Sequence, residues 1–298
     1  MSKNNNFVAT LVASSQNPVL TAEIVESVCE LLRTKAITWL APEIACDFDF
    51  QSLDKADLIE RELRKILQSQ QLDIIVQNPI NRRKKLLVAD MDSTIIEQEC
   101  IDELAESVGI KDEISSITER AMRGELAFEP ALRQRVHLLR DLSIRVIEEV
   151  LQHRITIRAG AKTLVKTMKN HGAYTALISG GFTLFTQKIA KLVGFDEHQA
   201  NQLVVENGQL TGKVLDPILG KEAKLAKMLE LCKKLRLSLD EALAVGDGAN
   251  DLAMLTHAGC GVAFHAKPIV AKAAAIKINY ADLTGLLYIQ GFSQKEFS

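Results

Sequence analysis

Asp90 and Asp92 stand two residues apart, directly after the apolar run Leu86-Leu87-Val88-Ala89. An ionised carboxylate can attack an electrophile or hold a cation, and a neighbouring carboxyl can carry a proton. Two more chemically able clusters follow apolar runs in the same way. Ser179-Gly180-Gly181 comes after Tyr174-Thr175-Ala176-Leu177-Ile178, and it offers an oxyanion a hydroxyl and unobstructed backbone N–H groups. Gly246-Asp247-Gly248-Ala249-Asn250-Asp251 comes after Ala242-Leu243-Ala244-Val245, and its two acids in a glycine-containing loop suit a hard cation such as Mg²⁺. Lys224 lies in the helical stretch that leads to this third run. Taken singly, each has a plain structural reading: Asp as turn former or helix cap, Ser-Gly-Gly as an ordinary turn, the acidic loop as an exposed turn, the lysine as a solvated helix cation. Taken together, they form a series that chance should rarely assemble.

The elements that must carry these residues follow from periodicity. From Lys85 onward, short continuous apolar runs alternate with helical segments, which predicts an α/β fold with a Rossmann-like parallel sheet covered on both faces. Ligands bind beyond the carboxyl ends of such strands, so the three run-ends should converge on one site. Residues 98–155 are helical in pattern and longer than one crossover needs, which predicts an inserted helical cap. A hairpin is expected at 203–210, where Asn207-Gly208 suits the two positive-φ positions of a type I′ turn. Before all this, residues 1–80 read as a small α+β unit in the order β-α-β-α-β with a split central strand, of ferredoxin-like and ACT-like type. Residues 81–298 then form the catalytic unit.

Composition narrows the function classes. The 298 residues allow one large core or two modest ones, and 47% hydrophobic with 25% charged residues excludes a disordered or fibrous chain. A net charge of -2 and a pI near 6.3 give no footprint for nucleic acid or an anionic membrane, which favours a small-molecule partner. The basic tract Arg82-Arg83-Lys84-Lys85 is expected to be a solvated lead-in to the first core strand. Five scattered cysteines form no zinc motif and suggest reduced thiols; with no leader-like start or membrane-length apolar stretch, the expected location is the cytoplasm. The six histidines form no helical metal pair, and His265 is read as structural, near the site rim.

Four segments carry a resemblance to a known family: Asp90-Met91-Asp92-Ser93-Thr94, Leu132-Arg133-Gln134-Arg135-Val136, Ser179-Gly180-Gly181-Phe182 and Gly246-Asp247-Gly248-Ala249-Asn250-Asp251. From Lys85 to Gly291 the chain resembles the haloacid dehalogenase-like superfamily and, within it, the phosphoserine phosphatases. The resemblance implies hydrolysis of O-phospho-L-serine to serine and phosphate, the last step of serine biosynthesis, through an aspartyl phosphate on Asp90. It implies Asp92 as general acid/base, and Mg²⁺ held by Asp90, the Asp92 carbonyl and Asp247, with Asp251 and Asn250 in support. Ser179, the Gly180 N–H and Lys224 would hold the phosphoryl oxygens. In the cap, Glu99 would meet the substrate ammonium and Arg135 its carboxylate, while Met122 and Phe128 close over the ligand; Asn250 would also contact substrate.

Charge arithmetic agrees with that division. A phosphate dianion plus three ionised aspartates sums to about -5, and Mg²⁺ with Lys224 returns about +3, so backbone dipoles and the Ser179 hydroxyl must contribute. Three alternatives stand beside this reading: a related phosphatase acting on another small phosphate ester, a phosphotransferase, and a phospho-accepting receiver module. The N-terminal unit is left with three roles, which are binding a regulatory amino acid, contact within a homodimer, or support.

Overall fold

The computed structural model describes residues 5–122 and 125–298, except for the side chain of Met122, so the expectation for Met122 falls outside the described residues. Residues 5–77 form β1 (Asn5–Ala13), α1 (Ala22–Leu32), β2 (Ala36–Ala41), β3 (Ala45–Ser52), α2 (Ala56–Ile66) and β4 (Leu72–Gln77), with an antiparallel sheet in the order β2-β3-β1-β4. This is the ferredoxin-like arrangement, the split central strand being β2 and β3. Thr21 caps α1, its side chain accepting from Ile24 N, and Val25, Val28 and Leu32 recur on the face that α1 buries.

Every residue from Val8 to Ala13 is buried, because each face of β1 has its own neighbour. Ala9, Leu11 and Ala13 pack beneath the two helices, while Val12, with Leu40 and Ile75, joins the large core of the following unit. Polar groups fix the same joint. Buried Asp73 accepts from the backbone N–H groups of Asn279, Tyr280 and Ala281. Arg82 pairs with Asp47 at 2.8 Å and donates to Ile289 O. The expectation of a solvated basic tract therefore holds for Arg83 and Lys85, which are exposed, and is corrected for Arg82. Arg82 is largely buried, Arg83 pairs with Glu296 and lies over the Phe292 ring, Lys84 donates to Asp240 O, and Lys85 pairs with Glu241. The residues face carboxylates and carbonyls that only the tertiary fold brings there.

The second unit is built on β5 (Leu86–Ala89), which leads through a single irregular turn at Met91–Ile95 into four helices, α3 (Cys100–Ser107), α4 (Lys111–Met122), α5 (Phe128–Leu138) and α6 (Ile144–His153). The chain returns through α7 (Ala161–Asn170), β6 (Tyr174–Phe182), α8 (Thr183–Val193), β7 (Glu197–Asn201), β8 (Leu203–Glu206), β9 (Gln209–Val214) and α9 (Lys221–Leu235). It finishes with β10 (Ala242–Gly246), α10 (Leu252–His257), β11 (Cys260–Phe264), α11 (Pro268–Ala273), β12 (Ile276–Ile278) and α12 (Gly285–Tyr288). The main sheet is parallel with the order β12-β11-β10-β5-β6-β7, so the three predicted strands β5, β6 and β10 are its central neighbours. Their hydrophobicity is continuous because both faces are covered. Leu86, Val88, Ala242 and Ala244 pack with Met228 and Leu231 of α9, whereas Leu87, Ala89, Leu243 and Val245 pack with Leu164 of α7 and Leu286 of α12.

Helices α3 to α6 form the cap, and two linkers join it to the sheet. Ile96 bridges Ile157, Glu97 N donates to Thr156 O and Arg158 N donates to Ile95 O, so the linkers run side by side as a short ribbon. The β8–β9 hairpin turns at Asn207 (φ 49°) and Gly208 (φ 77°), both left-handed as a type I′ turn requires. It leans on the cap: Asp141 N donates to Leu210 O, Leu210 N to Leu142 O, and Ile144 N to Gly208 O.

Candidate active site

Asp90 follows the last residue of β5, and its N–H donates to Val245 O, which locks it to the end of β10. Its Oδ1 accepts from Met91 N at 2.7 Å and lies 2.7 Å from Lys224 Nζ. Lys224, in the first turn of α9 and only 2% exposed, is simultaneously 2.6 Å from Asp251 Oδ1. Burial opposes charge on Lys224, but Asp90 and Asp251 outweigh it and hold its pKa above the ordinary value. Asp90 is driven the other way: burial first, then the Asp251 charge, raise its pKa well above that of a free carboxylate.

Asp247 and Asp251 come from the loop after β10. Oxygens of Asp90, Asp247 and Asp251 lie within 4.8 Å of one another, and all three side chains are buried. Asp251 has both oxygens engaged, Oδ1 by Lys224 and Oδ2 by Gly248 N at 2.9 Å. Asp247 has more left to offer. Its Oδ1 accepts from Thr94 Oγ1 at 3.2 Å, and Lys267 Nζ stands 4.0 Å from Oδ2. Burial and then the Asp251 charge raise its pKa. An all-oxygen set with more buried negative charge than its lysine neutralises fits a hard divalent cation. The loop packs tightly: a Cβ on Gly246 would come 2.3 Å from Cγ of buried Asp251, and one on Gly248 would displace the Asn250 amide, whose Oδ1 would stand 2.4 Å away. Asn250 is half-buried beside Gly248, at the same loop.

Asp92 points to the other side of the turn. Its Oδ1 accepts from Cys100 N at 2.9 Å, and its Oδ2 is 3.0 Å from Ser179 Oγ. Ser93, next in the chain, has φ 55° and donates its hydroxyl to Glu99 Oε1 at 2.7 Å. The left-handed residue thus turns the chain from sheet to cap while holding the first cap carboxylate. Ser179 Oγ accepts from Gly181 N at 2.8 Å, and a Cβ on Gly181 would stand 2.9 Å from Asp92 Oδ2. Asp92 and the Ser179 loop can approach this closely only because Gly181 has no side chain.

Phe128 and Arg135 are seven residues apart on one face of α5. The Phe128 ring rests over Gly180 and Gly220: a Cβ on either would lie 3.7 and 3.5 Å from it. Burial lowers the Arg135 pKa, opposed by the nearby carboxylates Asp102 and Glu99. Glu99 is pushed up to about 7, by burial and then by the Asp92 charge, against the Ser93 hydroxyl bond. A cavity of about 700 Å³ opens on the opposite face of α5, lined by Arg133, Gln134 and His137, and contains none of these groups. His265 is structural: Nε2 lies 3.0 Å from Ala281 O and the ring packs edge-on against Phe264.

The structure therefore gathers Asp90, Asp92, Ser179, Gly180, Lys224, Asp247, Asn250 and Asp251 at the carboxyl ends of β5, β6 and β10, with Glu99, Phe128 and Arg135 facing them from the cap. Three neighbours escaped the sequence reading. Thr94 lies inside the first motif but was given no role, Asp102 carries no signal beyond proximity to that motif, and Asn201 sits in a segment with no motif at all.

Residues 87–256 match the haloacid dehalogenase-like hydrolase family, and the chain belongs to it. It is 42% identical over 240 residues to a phosphoserine phosphatase of Archaeoglobus fulgidus, covering 80% of this chain and 69% of that one. A phosphoserine phosphatase of Saccharomyces cerevisiae is 35% identical over 304 residues, 98% of both chains. In three dimensions a HAD family hydrolase from Salmonella enterica serovar Typhi superposes with a TM-score of 0.86 at 28% identity, covering 98% of this chain and 99% of its own. With family membership and the cap, the receiver alternative falls away.

Proposed function

We propose that this chain hydrolyses O-phospho-L-serine to L-serine and phosphate in a Mg²⁺-dependent reaction through an aspartyl phosphate on Asp90, as the last step of serine biosynthesis in the cytoplasm. The observation that carries the reading is the pair of networks, Asp90–Lys224–Asp251 and Asp92–Ser179–Gly181, which adjoin at the ends of neighbouring strands β5, β6 and β10, with Phe128 of the cap against Gly180. The five cysteines are all free thiols, in keeping with a reducing compartment.

Asp90, Asp247 and the Asp92 carbonyl would hold Mg²⁺, which when bound neutralises phosphoryl and carboxylate charge. Asp251 supports them, since both its oxygens already serve protein donors, and Asn250, from the same loop, would contact substrate. Lys224 and the Met91 N–H fix the Asp90 carboxylate, and a free oxygen of Asp90 attacks phosphorus as the bond to the serine oxygen breaks. Ser179, the Gly180 N–H and Lys224 hold the equatorial oxygens. Asp92 Oδ1 is committed to Cys100 N, so Oδ2 carries the proton to the leaving alkoxide and then takes one from the water that attacks the aspartyl phosphate. That second attack breaks the bond between phosphorus and Asp90 and restores the carboxylate.

Phosphate release from L-phosphoserine, measured against a panel of phosphorylated amino acids and sugars with and without Mg²⁺, tests the reading. Turnover confined to another ester would move the chain to a different substrate. Arg135 supplies a planar fork for the substrate carboxylate. Arg135→Ala is expected to raise KM for phosphoserine about 10- to 100-fold, the loss of a charged hydrogen-bonded pair, and to leave phosphoethanolamine unaffected. Equal losses on both esters would remove that assignment.

Glu99 gives a pH signature. With a pKa raised from 4.5 to about 7, it is neutral below that pH and charged above it, so attraction for the substrate ammonium grows as pH rises through 7. KM for phosphoserine should fall over that interval relative to KM for p-nitrophenyl phosphate, which shares the titrating phosphate and lacks the amine. Glu99→Gln should flatten the ratio; a ratio that is already flat in the wild type counts against the role.

A further inference from the structure

Asn201, at the end of β7, is 2% exposed, and its side chain bonds only to backbone outside its own strand. Nδ2 donates to Gly180 O at 2.8 Å and to Leu219 O at 3.4 Å, while Oδ1 accepts from Leu219 N at 2.7 Å. Gly180 and Gly181 are consecutive glycines, the backbone combination with the widest conformational freedom. Nothing in their own side chains can keep the Gly180 N–H aimed at a ligand. The peptide between them is held from both sides: Ser179 Oγ accepts from the Gly181 N–H within the turn, and Asn201 Nδ2 donates to the Gly180 carbonyl from outside it. The same amide grips Leu219, which precedes Gly220, the N-cap of α9; Lys224 lies in the turn that follows. Phe128 of the cap then rests on both of the segments so joined, its ring against Gly180 and Gly220.

We infer that Asn201 is a positioning residue that binds two backbone segments into one platform, holding the Gly180 N–H in register with Lys224 for a phosphoryl group and giving Phe128 its seat. The inference rests on the phosphatase reading for its purpose and on the hydrogen bonds for its geometry. Asn201→Asp is nearly isosteric: it keeps the acceptor for Leu219 N and turns a carboxylate oxygen toward the Gly180 carbonyl, replacing attraction with repulsion.

The test is calorimetric binding of inorganic phosphate with Mg²⁺ present, which needs no turnover, alongside kcat/KM for phosphoserine and p-nitrophenyl phosphate. In folded Asn201→Asp, phosphate Kd should rise about tenfold or more, and kcat/KM should fall by a similar factor on both esters, because the platform serves the group they share. A merely structural role would lower the melting temperature and leave phosphate Kd unmoved, and that result overturns the inference. If Asn201→Asp does not fold, Asn201→Ser, whose single short hydroxyl cannot bond Gly180 and Leu219 together, takes its place with the same expected direction. Failure of both to fold would make the side chain a folding determinant and also overturn it. A wild-type enzyme that ignores phosphoserine while the variants still lose phosphate affinity would sink the phosphoserine assignment and leave the positioning role standing.

Discussion

Asp90→Asn should lower phosphate release by about four orders of magnitude or more, because an amide cannot form the aspartyl phosphate through which the reaction is split into two displacements. The same substitution should stabilise the metal-free protein. Asp90 is buried beside Asp251 with one lysine between them, and burial and repulsion raise its pKa, so its ionised form works against folding at neutral pH. The sign follows from linkage: a carboxyl whose folded pKa exceeds its unfolded value favours the unfolded state once the pH passes the unfolded pKa. Replacing it with a neutral amide of the same shape relieves that cost, on the order of 1 kcal/mol, which for a unit of this size shifts Tm upward by about 2–4 °C in chelator. Loss of activity with a raised or unchanged Tm marks a residue kept for chemistry. Loss of activity with a collapsed Tm would instead mark Asp90 as a fold residue, and undiminished activity with saturating Mg²⁺ would remove it as nucleophile.

Lys224→Met is the complementary experiment, and it should damage both properties. The methionine fills the volume but leaves Asp90 and Asp251 buried without the cation that stands 2.7 and 2.6 Å from them. Breaking a buried ion pair on one side costs about 3–5 kcal/mol, more than exposed pairs such as Arg61–Asp57 contribute. Activity should fall by about 10² to 10⁴, because Lys224 would also carry transition-state charge on the phosphoryl oxygens. The informative measurement is the double variant. Asp90→Asn should recover much of the stability that Lys224→Met loses, since it removes one of the two orphaned charges, while activity stays absent. Additive stability losses, with no coupling between the two positions, would show that the lysine does not serve the carboxylates in the way its distances indicate.

The N-terminal sheet shows how far patterning reaches. Alternating strands and amphipathic helices identified the ferredoxin-like order from local periodicity, and the paired positive-φ residues Asn207 and Gly208 fixed the hairpin turn. Both rest on the conformational preferences of neighbours in the chain. The fate of the basic tract was not legible by the same means. Arg82 looks like any exposed cation until Asp47, Thr10 and the Ile289 carbonyl are brought around it from far along the chain. Asn201 was equally silent, because its partners are backbone atoms, and backbone atoms leave no trace in residue identity.

What the sequence determined by itself was the set of candidate groups and their order: Asp-x-Asp, Ser-Gly-Gly and the paired acids, each at the end of an apolar run, with the lysine in a helical stretch before the last of them, together with the helical insert that must cover them. Their residue types and local spacing are covalent facts, and strand periodicity is a short-range one. Only the tertiary structure decided which carboxylate has an oxygen to spare, which lysine is buried between two acids, and which amide ties the glycine turn to α9. Those outcomes depend on distances between segments that are far apart in the chain, and such distances are set by how the sheet and cap pack.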